Sequence, residues 1–335
     1  MTTVQAFALK EANGKIEPFT YELESLGEDD IDIEVKYAGI CHSDLSMVNN
    51  EWGMTQYPFV GGHEIAGIVK AIGSRVTHVA VGDRVGLGWD SGYCNTCNSC
   101  TAGDHNLCGS KESTILGRHG GFGNLVRAKG ISVFKVPDAL DLADVGPLFC
   151  GGITVFNPLF QFNITPLSKI GVIGIGGLGH LAVQFARAWG CHVTAFSSNP
   201  AKKDEILKMG AHDILNSRDP EAFKDHAGEY DLIMSTVNVS LDWNAYMTLL
   251  APKGRLHFVG GVTKPLDLNL FPMLFGQKSA SSSPIGPPYT IRKMLEFCAR
   301  HNIKPITEHF PVAKINEAFA HLSDGKARYR IVLDM

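Results

Sequence analysis

The sequence predicts an α/β protein of two domains, one β-rich and barrel-like, the other a doubly wound parallel sheet. Three observations predict it. The chain has 335 residues, more than one hydrophobic core usually holds. Its first 150 residues are mostly short β-like runs set between turn residues. From Lys169 onward, strand-like and helix-like runs alternate, the rhythm of a parallel sheet with crossover helices.

In the first part the short runs 31–37, 65–69 and 82–87, with alternation clearest in 31–37 and frequent glycine, favour an irregular barrel. In the second, strands are expected at 170–175, 192–196, 213–215, 231–236 and 256–259, with helices at 178–189, 201–209 and 241–250. Beyond Pro287-Pro288 come an amphipathic helix (291–300), a short helix (315–322) and a strand (329–333). Periodicity alone does not say whether this tail completes the first domain. The long uncharged stretch 145–168 carries Pro147, Pro158 and Pro166, with Gln161 and two asparagines. It is too broken for a membrane-spanning helix and reads as buried, irregular structure at a domain junction.

With a net charge of −4, nothing calls for a polyanionic partner, and no nucleic acid is expected. The first residues lack a basic region followed by an apolar core, so no signal peptide is expected. Eight cysteines, several clustered, point to metal binding in an intracellular chain rather than to a disulfide framework.

The cluster is Cys94-x2-Cys97-x2-Cys100-x7-Cys108, interleaved with Gly92, Asn95, Asn98 and Gly103. Four thiolates on a short loop close a tetrahedral zinc shell and leave no position for water, so the site reads as structural. An iron–sulfur cluster is the competing occupant, and four unrelated buried cysteines the bland one. Cys41 (in Gly39-Ile40-Cys41-His42-Ser43-Asp44), His63 (in Gly62-His63-Glu64) and Cys150 stand in unusual settings. Together they would make a Cys2His zinc site with an open fourth position, although a lone cysteine or histidine is more often simply packed.

Gly174-x-Gly176-x-x-Gly179, with Gly177 and Leu178 between, joins a predicted strand to a predicted helix. In that context glycines let the backbone turn and approach a pyrophosphate seated on the helix N-terminus. The next strand ends in Phe196-Ser197-Ser198-Asn199-Pro200-Ala201-Lys202-Lys203, with no acid before Asp204. A carboxylate here would hold the ribose 2′-OH of NAD; hydroxyls and lysines suit the 2′-phosphate of NADP. Helix capping by Asn199 and Pro200 explains part of the same segment.

Taken in order, these motifs and Pro147-Leu148-Phe149-Cys150-Gly151-Gly152-Ile153-Thr154-Val155 resemble the zinc-containing medium-chain alcohol dehydrogenases. The match is to the branch of cinnamyl alcohol dehydrogenases and broad-substrate NADPH-dependent aldehyde reductases. The resemblance covers essentially the whole chain. It implies a GroES-like catalytic domain over 1–150 and 288–335, a Rossmann domain over 151–287, two zinc ions per chain and NADP(H). The implied reaction moves hydride between NADPH and small aromatic or aliphatic aldehydes, reversibly with primary alcohols.

By the same resemblance Cys41, His63 and Cys150 hold the catalytic zinc, with Glu64 as a transient ligand. Asp44 orients His63, and Ser43 relays a proton. Many relatives end that relay in a histidine where this chain has Ser46, so its terminus lies with Ser46, a water or His42. The cofactor contacts implied are His42, Thr154, the glycine turn, Ser197, Ser198, Lys202, Val259, Gly260, the serines 281–283 (Ser282 among them) and Arg330. Trp52 and Trp89 would wall the substrate pocket, if they are not ordinary core. A polyol-type dehydrogenase and a non-catalytic NADPH-binding sensor are the alternatives. A cytoplasmic homodimer paired near 274–283 is expected; Cys191, Cys298, Arg118 and His119 receive no role.

Overall fold

The computed structural model describes residues 1–335, with the backbone alone described at Pro220. The chain forms two compact units, Met1–Ile153 with Gly286–Met335, and Thr154–Ile285.

The first unit opens with an antiparallel pair, β1 (Thr2–Leu9) and β2 (Ile16–Leu23). Next comes β3 (Asp30–Ile40), whose Ile31, Ile33 and Val35 are buried at alternate positions, as a half-buried strand requires. Helix α1 (His42–Val48) follows at once, then β4 (Glu64–Ile72) and β5 (Arg84–Leu87). A small lobe comprises β6 (Asp90–Gly92), α2 (Asn98–Thr101) and β7 (Glu112–Ser113). Two short strands, β8 (Leu125–Lys129) and β9 (Val133–Lys135), return to the main sheet.

The stretch expected to be irregular is largely helical. A 3-10 turn at Gly146–Phe149 leads into α3 (Gly151–Gln161), which contains Pro158. Residues 151–159 are all buried. Burying that apolar run outweighs the roughly 3 kcal/mol that an interior proline costs a helix.

In the second unit β10 (Lys169–Ile173), α4 (Gly179–Trp189), β11 (His192–Ser197), α5 (Lys203–Lys208) and β12 (Asp213–Asn216) form the first half. The second half holds β13 (Tyr230–Ser235), α6 (Trp243–Leu249), β14 (Leu250–Phe258), α7 (Leu270–Gly276) and β15 (Ser279–Ser282). All six strands are parallel, in the order β12-β11-β10-β13-β14-β15. This is the doubly wound order 3-2-1-4-5-6, whose strand order reverses between β10 and β13.

The chain then returns to the first unit. Helix α8 (Pro288–His301) starts with proline in its first turn and ends at Asn302 in the left-handed conformation. It buries Ile291, Met294, Leu295 and Cys298, the i, i+3, i+4, i+7 stripe of an amphipathic helix. After β16 (Thr307–Pro311) and α9 (Ile315–Ser323), β17 (Arg330–Asp334) lies antiparallel to β3. The sheet reads β16-β17-β3-β4-β5-β9, with β8 also paired to β3. Register sets Gly39 opposite Glu64 and Ile40 opposite Ile331. The end of β3, the start of β4 and the start of β17 therefore meet at one corner.

Candidate active site

In the small lobe, Cys94, Cys97, Cys100 and Cys108 bring their sulfurs within 4.8 Å of one another. Cys94 Sγ lies 3.9 Å from Cys100 Sγ and 3.5 Å from Cys108 Sγ. A tetrahedron with zinc–sulfur bonds of about 2.3 Å has an edge of about 3.8 Å. Backbone amides of Thr96 and Cys97 bond the Cys94 sulfur and lower its pKa to about 6, preparing it as a thiolate ligand.

A second group gathers at the corner where β3, β4 and β17 meet. Cys41 follows β3 directly, His63 immediately precedes β4 and Glu64 opens it, and Cys150 caps the 3-10 turn before α3. Their ligand atoms also lie within 4.8 Å of one another, and all four residues are buried. Cys41 Sγ is 3.9 Å from Cys150 Sγ, and His63 Nε2 is 3.2 Å from the latter. Asp44, fully buried on α1, holds the far side: its Oδ1 lies 3.1 Å from His63 Nδ1. The same carboxylate accepts the amides of Cys41 and Gly62, each at 2.9 Å.

The electrostatics suit a bound cation. The Cys41 thiol is held well below its ordinary value by its hydrogen bond with Cys150, helped by Arg330 and His63, while Cys150 takes the complementary rise. Burial opposes a charge on His63, but the Asp44 carboxylate outweighs it. Glu64 is pushed up to about 7 by burial, against the pull of Arg330. Glu64 Oε1 pairs with Arg330, whereas the buried Oε2 has no hydrogen-bond partner. Two thiols, an imidazole and a carboxylate with an unused oxygen are a donor set that fits zinc.

Close by, the Trp89 ring stands T-shaped to both His63 and Trp52, with centroids 4.8 Å and 6.3 Å away. Trp89 is part-buried against the core, and Trp52 is 42% exposed. Ser43 Oγ is 3.8 Å from Cys41 Sγ. Ser46, buried one turn along α1, donates to Glu51 Oε2 at 2.7 Å. His42, which opens α1, is exposed.

In the second unit the glycine turn joins β10 to α4. Gly174 has φ +84°, and a Cβ on Gly179 would stand 1.9 Å from the Gly174 carbonyl oxygen. A Cβ built on Gly176 would meet no neighbouring atom within 4 Å, leaving the open space that a phosphate against the backbone requires. Gly177 is half-buried, and Leu178 caps α4. Beyond β11, the Ser197 hydroxyl accepts the Asn199 amide at 3.3 Å, and Asn199 caps a 3-10 turn over Pro200–Lys202. Capping is thus real here, and it leaves Ser198 exposed and Lys202 half-exposed. On the other half, Val259 and Gly260 both donate their amides to the Ser235 carbonyl, which ties the ends of β13 and β14 together. Thr154 is buried on α3, and Ser282 is exposed at the end of β15.

Comparison with known proteins agrees with this geometry. Residues 27–138 match the alcohol dehydrogenase GroES-like domain and residues 177–300 the zinc-binding dehydrogenase family. The aldehyde reductase AdhA of Synechocystis sp. is 60% identical over 330 residues, 98% of each chain. The chain belongs to the zinc-binding alcohol dehydrogenases. Another relative in this family, 8-hydroxygeraniol dehydrogenase of Catharanthus roseus, is 39% identical over 99% of this chain and 95% of its own. A cinnamyl alcohol dehydrogenase of Sorghum bicolor superposes with a TM-score of 0.95 at 35% identity, covering 99% and 98% of the two chains. The CAD protein of Helicobacter pylori, solved with NADP(H), gives 0.91 at 32% identity with the same coverage.

For a zinc-binding alcohol dehydrogenase, two features of this chain escaped sequence reasoning. Beyond the contact expected of it, Arg330 has its guanidinium buried against Glu64. Burial works against that charge, but Glu64 and the two thiols hold it above its ordinary value. Glu51, bonded by Ser46 and Asn49, was not singled out at all. Glu51 lies only five residues from Ser46, but the pairing of Arg330 with Glu64 leaves no local signal. Arg330 and Glu64 are 266 residues apart, and only the pairing of β17 with β3, and of β3 with β4, brings them together.

Proposed function

We propose that residues 1–153 with 286–335 form the catalytic domain, holding a catalytic zinc on Cys41, His63 and Cys150 and a structural zinc on Cys94, Cys97, Cys100 and Cys108. Residues 154–285 are read as the cofactor domain. The protein is an NADP-dependent alcohol dehydrogenase and aldehyde reductase. The observation that carries the site assignment is the buried Cys41–His63–Cys150 cluster, with Glu64 keeping one oxygen unpaired beside it. An intact ligand set disfavours a non-catalytic sensor.

When bound, zinc supplies Lewis acidity toward a carbonyl oxygen, and NADP(H) supplies or accepts hydride. The chain's own residues do the rest. Asp44 fixes the His63 tautomer so that Nε2 faces the thiols. Ser43 gives or takes the hydroxyl proton, and the Ser46–Glu51 bond leads outward to an exposed carboxylate. Trp89 and Trp52 present an apolar, aromatic wall beside His63, suited to a small aromatic or aliphatic aldehyde and poorly suited to a polyol. The glycine turn cradles the pyrophosphate. His42, Thr154, Val259, Gly260 and Ser282 are read as further cofactor contacts, while Ser197, Ser198 and Lys202 take the 2′-phosphate. Arg330 holds Glu64 and keeps its place as a pyrophosphate contact.

A homodimer is the proposed assembly. Leu270, Phe271, Leu274 and Phe275 on α7 are 63–83% exposed, and β15 is an edge strand with one free side. No described helix is long and apolar enough to cross a membrane. Two reduced thiol clusters favour the reducing cytoplasm.

The test is steady-state oxidation of NADPH and NADH with cinnamaldehyde and a medium-chain aliphatic aldehyde, with and without a chelator. Fast, chelator-sensitive turnover preferring NADPH is expected, and Ser198→Asp is expected to reverse the cofactor preference by about tenfold or more. Cofactor binding without turnover would favour the sensor reading. Equal use of NADH would remove the 2′-phosphate assignment.

A further inference from the structure

We propose that His257 is a positioning residue for the nicotinamide half of the cofactor: by bonding Ser281 and Ser283 at once, it braces the end of the edge strand on either side of Ser282. The inference rests on the NADP(H) reading above and deepens it.

The glycine turn and Ser197–Ser198 sit at the ends of β10 and β11, on one side of the strand-order reversal. The ends of β14 and β15 lie on the other side, where a doubly wound sheet receives the second mononucleotide. Within one chain β15 pairs with β14, whose register places the end of the edge strand. His257 lies opposite Ser281 in the register. Its Nδ1 is 2.9 Å from Ser281 Oγ, and its Nε2 is 2.9 Å from Ser283 Oγ. Side chains alternate along a strand, so bracing 281 and 283 on one face turns Ser282 to the other, where it is exposed.

The brace is stiff. His257 is fully buried, and Phe162 meets its ring edge-on at 5.0 Å between centroids. Arg255 stacks 4.1 Å above Phe162 and donates to Ser281 Oγ at 3.1 Å. Burial, with Arg255 nearby, lowers the imidazole pKa to about 4. The ring is therefore neutral in ordinary buffers, with one nitrogen donating and the other accepting. A residue needed only to fill this space would carry no polar atoms, because each buried one must find a partner. Here both ring nitrogens are satisfied by the strand end that they brace.

The experiment compares His257→Leu, which fills the site without hydrogen bonds, with His257→Gln, long enough to reach one serine. Two quantities are read in each: the KM for NADPH, and the inhibition constant of 2′,5′-ADP, which occupies the adenosine half alone. The leucine variant should raise the NADPH KM about tenfold and leave 2′,5′-ADP within about twofold, with glutamine intermediate. An unchanged NADPH KM would overturn the proposal. So would loss of 2′,5′-ADP affinity by the same factor, since that marks general damage to the unit. If 2′,5′-ADP did not inhibit the unmutated protein, the 2′-phosphate reading would be the one to fail. The brace would then be judged by the same split between NADH and AMP.

Discussion

The Asp44 carboxylate lies 3.1 Å from His63 Nδ1 and, through its two oxygens, also receives the amides of Cys41 and Gly62. One buried side chain thus fixes the backbone at Cys41 and just before His63, and the His63 ring as well. Asp44→Ala should lower zinc from two ions per chain toward one and reduce activity about 10–100-fold, the usual consequence of removing a metal ligand's support. Metal analysis beside turnover measures both; full zinc content with normal turnover would contradict the role.

The four-cysteine lobe has almost no hydrophobic core of its own. Tyr93, Cys100 and Cys108 are its buried hydrophobic residues, with Cys94, Cys97 and Ile131 against them. Its order must come from the metal. Cys100→Ser should leave one zinc per chain and lower Tm by about 10 °C, as loss of several kcal/mol implies for a chain of this size. A Tm within a degree of the parent would show that packing alone holds the lobe.

Two glycines of the same turn should fail in different ways. Gly179→Ala places a methyl 1.9 Å from the Gly174 carbonyl oxygen and should destabilise the fold by about 1–3 kcal/mol. Gly176→Ala meets no protein atom, so its Tm should hold while the NADPH KM rises about tenfold. Denaturation curves and cofactor titrations of the pair separate the two effects, and identical behaviour would refute the division.

On β16, His309 Nδ1 lies 2.8 Å from Asp334 Oδ1 and Nε2 3.3 Å from Asp144 Oδ1. Burial opposes its charge, but the bonds to Asp334 and Asp144 outweigh it and raise its pKa above 6.5. A group whose folded pKa is raised stabilises the fold fully below the unfolded value and loses that contribution as pH climbs through the folded one. Tm should therefore fall as pH rises above 6.5, and His309→Phe should flatten that slope. A parent curve no steeper than the variant's would dispose of the idea.

Some of this protein was legible in the sequence because the information is local. Four cysteines within fifteen residues cannot avoid one another. The glycine turn announces itself through its neighbours, an apolar strand-like run before it and a helical pattern after it. α8 could be read for the same reason, its buried stripe having helical spacing.

The rest required the tertiary structure. Prolines made 145–168 look irregular, yet burial of residues 151–159 sustains a helix there. The C-terminal segment could have joined either unit. Pairing of β17 with β3 places it in the first and carries Arg330 to Glu64. Cys41, His63 and Cys150 span 109 residues between the two thiols, and nothing in their spacing brings them together. Periodicity records which face of an element is buried, but not which element it meets. Partners distant in sequence are chosen by strand register and the closure of the core, so the sequence by itself determined many of the elements and the local metal knot. The corner where the chemistry sits was decided only when β3, β4 and β17 came together.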